Sequence, residues 1–69
     1  MHVNTNQLRA KIVERGTTQA ELARAIGMDK STFSRKMKSN ALDFSIGDMH
    51  KMAEILLLTK QEAEQIFLA

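Results

Sequence analysis

The sequence predicts an all-α fold of five short helices, and three observations carry that prediction. Among 69 residues there is no proline and only three glycines, while Ala, Leu, Lys, Glu, Gln and Met are abundant. Apolar residues recur three and four apart, and no stretch alternates in the manner of a strand. Each apolar stripe is preceded by a Ser, Thr, Asp or Asn placed to cap a helix.

Asn4 opens the first helix, with Gln7 three residues on and Val3 placed to staple onto Leu8. Its apolar stripe is Leu8, Ile12 and Val13, with Ala10 nearby, and Gly16 ends it. Thr18 caps the second helix, and Glu21 is spaced to complete a capping box. Leu22, Ala23 and Ile26 form its buried face, and Gly27 follows as a left-handed turn residue. Asp29 caps a third helix over about 30–38, with Met28 stapled on Phe33. Residues 39–44 lack helical periodicity and are expected to loop, tucking Leu42 and Phe44 into the core. Ser45 caps the fourth helix, with Phe44 and Met49 as staple and Asp48 in the first turn. Its apolar face is Ile46, Met49, Met52, Ala53 and Leu56. Thr59 and Glu62 make one more capping box and open a fifth helix through Ile66, Phe67 and Leu68.

Several kinds of chemistry are excluded early. Without cysteine there is no disulfide, thiolate metal site or thiol nucleophile. Two histidines, His2 and His50, are too few for a self-contained metal site and read as surface or part-buried side chains. Glu62 and Glu64 lie on opposite sides of a helix and form no acid/base pair. The Ser and Thr residues have no base to activate them, and no Gly-rich phosphate loop is present. No catalytic residue, metal or cofactor is therefore expected, and the chain is not expected to be an enzyme. The longest apolar run, Ile55 to Leu58, is too short to cross a membrane. The start, Met1-His2-Val3-Asn4, is not a signal peptide, so the expected location is cytoplasmic. At this length, residues 1–69 are expected to form one domain and the whole protein, with no small-molecule ligand.

The informative stretch is Gln19 to Met37. Two helices of about eight residues joined by a glycine turn have the layout of a helix-turn-helix. Ala23 is small where the next helix must cross close by, and Gly27 supplies the positive φ of a sharp turn. Leu22, Ile26, Met28 and Phe33 would fix the angle between the helices. A fixed angle lets the second of them protrude into a DNA major groove about 12 Å wide. With Phe33, Met37 and the stem of Lys36 inward, the outward face carries Ser31, Arg35 and Lys38, flanked by Thr32 and Ser34. Lys30 stands at the helix start. Arg and Lys are the usual readers of guanine, so Arg35 leads the candidate base contacts, followed by Lys30 and Ser31, then Thr32 and Ser34. The positive N-terminal end of the preceding helix is a natural seat for phosphate beside Thr18 and Gln19.

The run from Thr18 to Arg35, TQAELARAIGMDKSTFSR, resembles the signature of the lambda-repressor-like family, the Cro and repressor type of helix-turn-helix. One helix before the motif and two after it extend the likeness less specifically. The closing stretch Thr59 to Phe67 resembles small phage-derived regulators of Gram-positive bacteria. The family usually has an apolar residue three after the position of Phe33, where this chain has Lys36. Met37, one residue later, can fill the core while the Lys36 stem lies along it.

The resemblance implies a five-helix DNA-binding domain that regulates transcription, most simply a Cro-like repressor that blocks polymerase. It implies that Gln19 touches a backbone phosphate. Thr18, Lys36, Lys38, Ser39 and Asn40 are the further candidates for phosphate. It also implies a homodimer on a double-stranded operator, with half-sites about 34 Å apart. Ile66, Phe67 and Leu68 would then either close the core or pack across the dimer axis. Two other readings stay open: a protein-interaction module such as an antitoxin or antirepressor, and a DNA-binding activator.

Charge is divided along the chain. Residues 1–38 hold eight basic and three acidic residues, a net of +5, and residues 39–69 hold two and five, a net of −3. The basic half carries the helix-turn-helix pattern, which predicts binding that weakens with salt.

Overall fold

The structure is a computed structural model and describes residues 3–39 and 44–68. Five helices follow in order: α1 (Thr5–Glu14), α2 (Gln19–Ala25), α3 (Lys30–Lys38), α4 (Ile46–Ile55) and α5 (Lys60–Phe67). There is no strand among the described residues. The expected all-α architecture is therefore observed. A radius of gyration of 10.6 Å matches the roughly 11 Å of a folded chain this long.

All five caps form where the sequence places them. Asn4, Thr18, Asp29, Ser45 and Thr59 each have extended backbone and accept from a first-turn N–H. The boxes at Ser45–Asp48 and Thr59–Glu62 are complete in both directions. The box expected at Thr18 is only half made. Thr18 accepts from the Glu21 N–H, but the Glu21 carboxylate instead accepts from the Thr17 hydroxyl at 3.4 Å. That hydroxyl competes for the carboxylate.

Helices α1, α2 and α4 all end in the same way. The residue after the cap is left-handed: Gly16 at φ +71°, Gly27 at +78° and Leu57 at +53°. In each turn two N–H groups reach back to orphaned carbonyls. Gly16, Gly27 and Leu57 donate to Val13, Arg24 and Glu54 at 3.0, 3.1 and 3.2 Å. Thr17, Met28 and Leu58 donate to Ile12, Ala23 and Ala53 at 3.1, 2.8 and 3.0 Å. This is the double-bonded left-handed cap, which favours glycine because a side chain strains that backbone. Leu57 bears that strain without the advantage of glycine.

The core gathers one or more residues from every helix. Leu8, Leu22, Phe33, Met52, Leu56 and Ile66 are its largest fully buried side chains. Val3, Ile12, Ala23, Ile26, Met37, Phe44 and Phe67 complete it, with Met28, Met49 and Ala53 packed at its edge. Two expected core residues are not in it. Val13 is 76% exposed and Ile46 is 70% exposed. Val13 lies on the α1 helix about 100° from Ile12, beyond the reach of its neighbours. Ile46 sits on the same α4 stripe as Met49 and Ala53, but at the first turn, where the stripe opens onto a hollow between α4 and α5. Ile66 and Phe67 close the core, whereas Leu68 is 57% exposed. Leu42 lies outside the described residues.

Polar ties fasten α1 to the C-terminal helices. The Asn4 N–H donates to the Ile66 carbonyl at 2.7 Å. Arg15 Nε donates to the Leu56 carbonyl at 2.7 Å and Nη2 to that of Leu57 at 3.4 Å, covering the end of α4. Lys11 forms a hydrogen-bonded ion pair with Glu62 and a second pair with Glu14. The bond from Lys11, reinforced by the Thr59 N–H, holds the Glu62 carboxyl down at about 2. The same bond raises the Lys11 ammonium above its ordinary value and outweighs the opposing effect of burial. The most extensive helix–helix packing is between α2 and α3. Lys30, Ser31, Arg35 and Lys38 of α3 stay exposed.

Candidate nucleic-acid interface

Helix α3 is held from below at two points. Phe33 and Met37, four residues apart, are buried. The Phe33 ring meets Phe44 at 5.2 Å between centroids with a tilt of 55°, within the range of favourable aromatic contacts. Lys36 is half-buried, and its ammonium stands 5.9 Å over the Phe44 ring. A cation there gains from the ring's negative face. Met37 thus takes the core position, and Lys36 borders the aromatic pair. This fixes the roll of the helix.

With that roll, Lys30, Ser31, Ser34, Arg35 and Lys38 line one open concavity of about 560 Å³. Their spacing of three and four residues puts them on one helical face. Three cations and two hydroxyls meet there, with no carboxylate among the described lining residues. The nearest acid in sequence, Asp29, is engaged: its carboxylate accepts from the Ser31 N–H at 2.9 Å. Arg35 and Lys38 suit the negative end of the helix dipole. Lys30 does not. A cation in the first turn is disfavoured by roughly 0.3–1 kcal/mol, so folding alone does not account for its position.

Four of the five candidate base readers, Lys30, Ser31, Ser34 and Arg35, are thus brought together, and Lys38 joins them. Thr32 is half-buried and does not line the concavity; its hydroxyl accepts from Arg35 Nη2 at 3.3 Å. Among the candidate phosphate contacts, Thr18 and Gln19 stand at the start of α2, exposed and half-buried, apart from the concavity. Ser39 caps α3 and donates its hydroxyl to the Lys36 carbonyl at 2.9 Å. Asn40 lies outside the described residues. Every described lining residue of the concavity was a candidate from the sequence.

A second hollow, about 440 Å³, lies between α4 and α5. Ile46, Met49, Ala53, Ala63 and Leu68 give it an apolar wall, with Lys60 and Glu64 also lining it. The sequence reading placed Ile46 and Met49 in the core and did not foresee this opening. Among the described residues, no group of three His, Asp or Glu side chains could hold a metal, and no helix is long and apolar enough to cross a membrane.

Comparison of the chain with protein-family models, curated proteins and solved structures returns no match.

Proposed function

We propose that the chain is a sequence-specific DNA-binding transcriptional regulator of the helix-turn-helix type. Helix α3 enters the major groove of an operator, and occupancy excludes polymerase in the manner of a Cro-like repressor. One observation carries this reading: the concave α3 face of Lys30, Ser31, Ser34, Arg35 and Lys38, cationic and with no carboxylate among the described lining residues. An α-helix with side chains is about 10–12 Å across, the width of the groove it would fill. The tight α2–α3 packing supports the reading further, because a groove-reading helix needs a fixed angle. Arg35 is the leading base reader; Gln19 and Thr18 position the backbone. The reading assigns no catalytic residue and no cofactor.

The proposed form on DNA is a homodimer, with a second copy at the α4–α5 hollow. Lys60 and Glu64 lie four residues apart, about 6 Å along α5. A two-fold axis across the hollow would bring each Lys60 to the partner's Glu64. The patch is then self-complementary, as an isologous interface requires.

Selection of bound sites from random DNA by the purified chain tests the proposal. A short two-fold site is expected. Absence of any shift at low salt would favour the interaction-module reading, and transcription on the selected site separates repression from activation.

A further inference from the structure

The geometry points to Thr32 as a positioning residue for Arg35, setting how strongly the arginine discriminates at the base pair it reads. This rests on the DNA-reading role proposed for α3. Thr32 sits one turn before Arg35, half-buried, outside the concavity that Arg35 lines. Its hydroxyl accepts from Arg35 Nη2 at 3.3 Å. At that length it is a weak bond, one that biases the arginine among its rotamers rather than locking it. Arginine has five N–H donors in a rigid fork. One spent on Thr32 leaves four, including a complete edge for the paired acceptors of guanine, O6 and N7.

The physical gain is preorganisation. A free arginine samples many rotamers and must lose them on binding, whereas a side chain already held loses fewer. Ser31 and Ser34 lie in the concavity itself and are open to DNA directly. Thr32 therefore acts through Arg35 and touches no base.

Two measurements test it. In free protein, NMR relaxation of the Arg35 Nε–H reads the latch directly. Thr32→Val removes the hydroxyl at nearly constant shape and is expected to raise that mobility, while Thr32→Ser leaves it unchanged. Equal mobility in wild type and Thr32→Val overturns the latch. On DNA, Arg35→Ala first identifies the base pair whose preference disappears. Thr32→Val should weaken preference at that same pair by about 3- to 10-fold, and Thr32→Ser should restore it. In the Arg35→Ala background Thr32→Val should change no preference. A further change there would mean Thr32 reads a base itself. Wild-type protein that selects no DNA overturns the reading of α3. Selective wild type with unaltered preference in Thr32→Val overturns the Thr32 assignment alone.

Discussion

Gly27→Ala separates what the turn between α2 and α3 contributes to the fold from what it contributes to recognition. The backbone there has φ +78°, and an added Cβ meets nothing within 4 Å. The cost is therefore conformational rather than steric. Holding alanine in the left-handed region costs about 1–2 kcal/mol, and the stiffer unfolded chain returns about 0.4–1. A net loss of about 0.5–1 kcal/mol should lower Tm by roughly 2–8 °C in a domain this small. Gly16 has φ +71° and equally open surroundings, so Gly16→Ala should cost the same. Leu57 is the reverse case: left-handed at +53° and 74% exposed. Leu57→Gly should raise Tm by about 2–4 °C, a smaller change because some covered apolar surface is lost. Thermal unfolding followed by circular dichroism gives all three values. Only Gly27 lies between α2 and α3, so only Gly27→Ala should also lower DNA affinity below the level its stability explains. A Tm that falls for Leu57→Gly as it does for Gly27→Ala would refute the assignment of strain. Equal loss of DNA affinity in Gly16→Ala and Gly27→Ala would refute the role of the turn in aiming α3.

Two further outcomes follow from the charged groups. The Glu62 carboxyl is held at about 2 against an ordinary 4.5, so its stabilising contribution is complete above about pH 4.5 and lost as pH falls toward 2. Glu62→Gln, which can still cap α5, should therefore be less stable than wild type at neutral pH, with the gap closing across that acid window in urea titrations. A gap constant down to pH 2 would contradict the Lys11 pair as its source. Lys38→Ala should flatten the dependence of log K on log salt by about 0.9 and weaken all DNA sequences alike. A changed base preference instead would make Lys38 a reader.

Much of this was legible in the sequence because short polar side chains act locally. A cap needs only its own first turn, and all five caps stand where Asn4, Thr18, Asp29, Ser45 and Thr59 predicted them. The outward face of α3 was legible in outline because Phe33 and Met37 are four residues apart, but Lys36 at a usually apolar position left the exact roll open, and its place beside Phe44 settles it. What failed was non-local. Periodicity placed Ile46 on the stripe of Met49 and Ala53 but could not say whether anything covers that end of it. Glu21 has the spacing of a box, yet Thr17 engages the same carboxylate. The reach of Arg15 across the chain to the carbonyls of Leu56 and Leu57 has no sequence signal at all. Thr32 looked like a flanking reader, and only the folded structure shows its hydroxyl against Arg35.

The proposed role of α3 is tested most directly by Arg35→Ala, with affinity measured on a selected site and on random DNA at one salt concentration. If Arg35 reads a base from the α3 face, binding to the selected site should fall by about 1–3 kcal/mol more than binding to random DNA. The lost preference should map to one base pair in each half-site. Equal losses on both DNAs would show that Arg35 contributes only charge, and the α3 face would not be a reader of sequence.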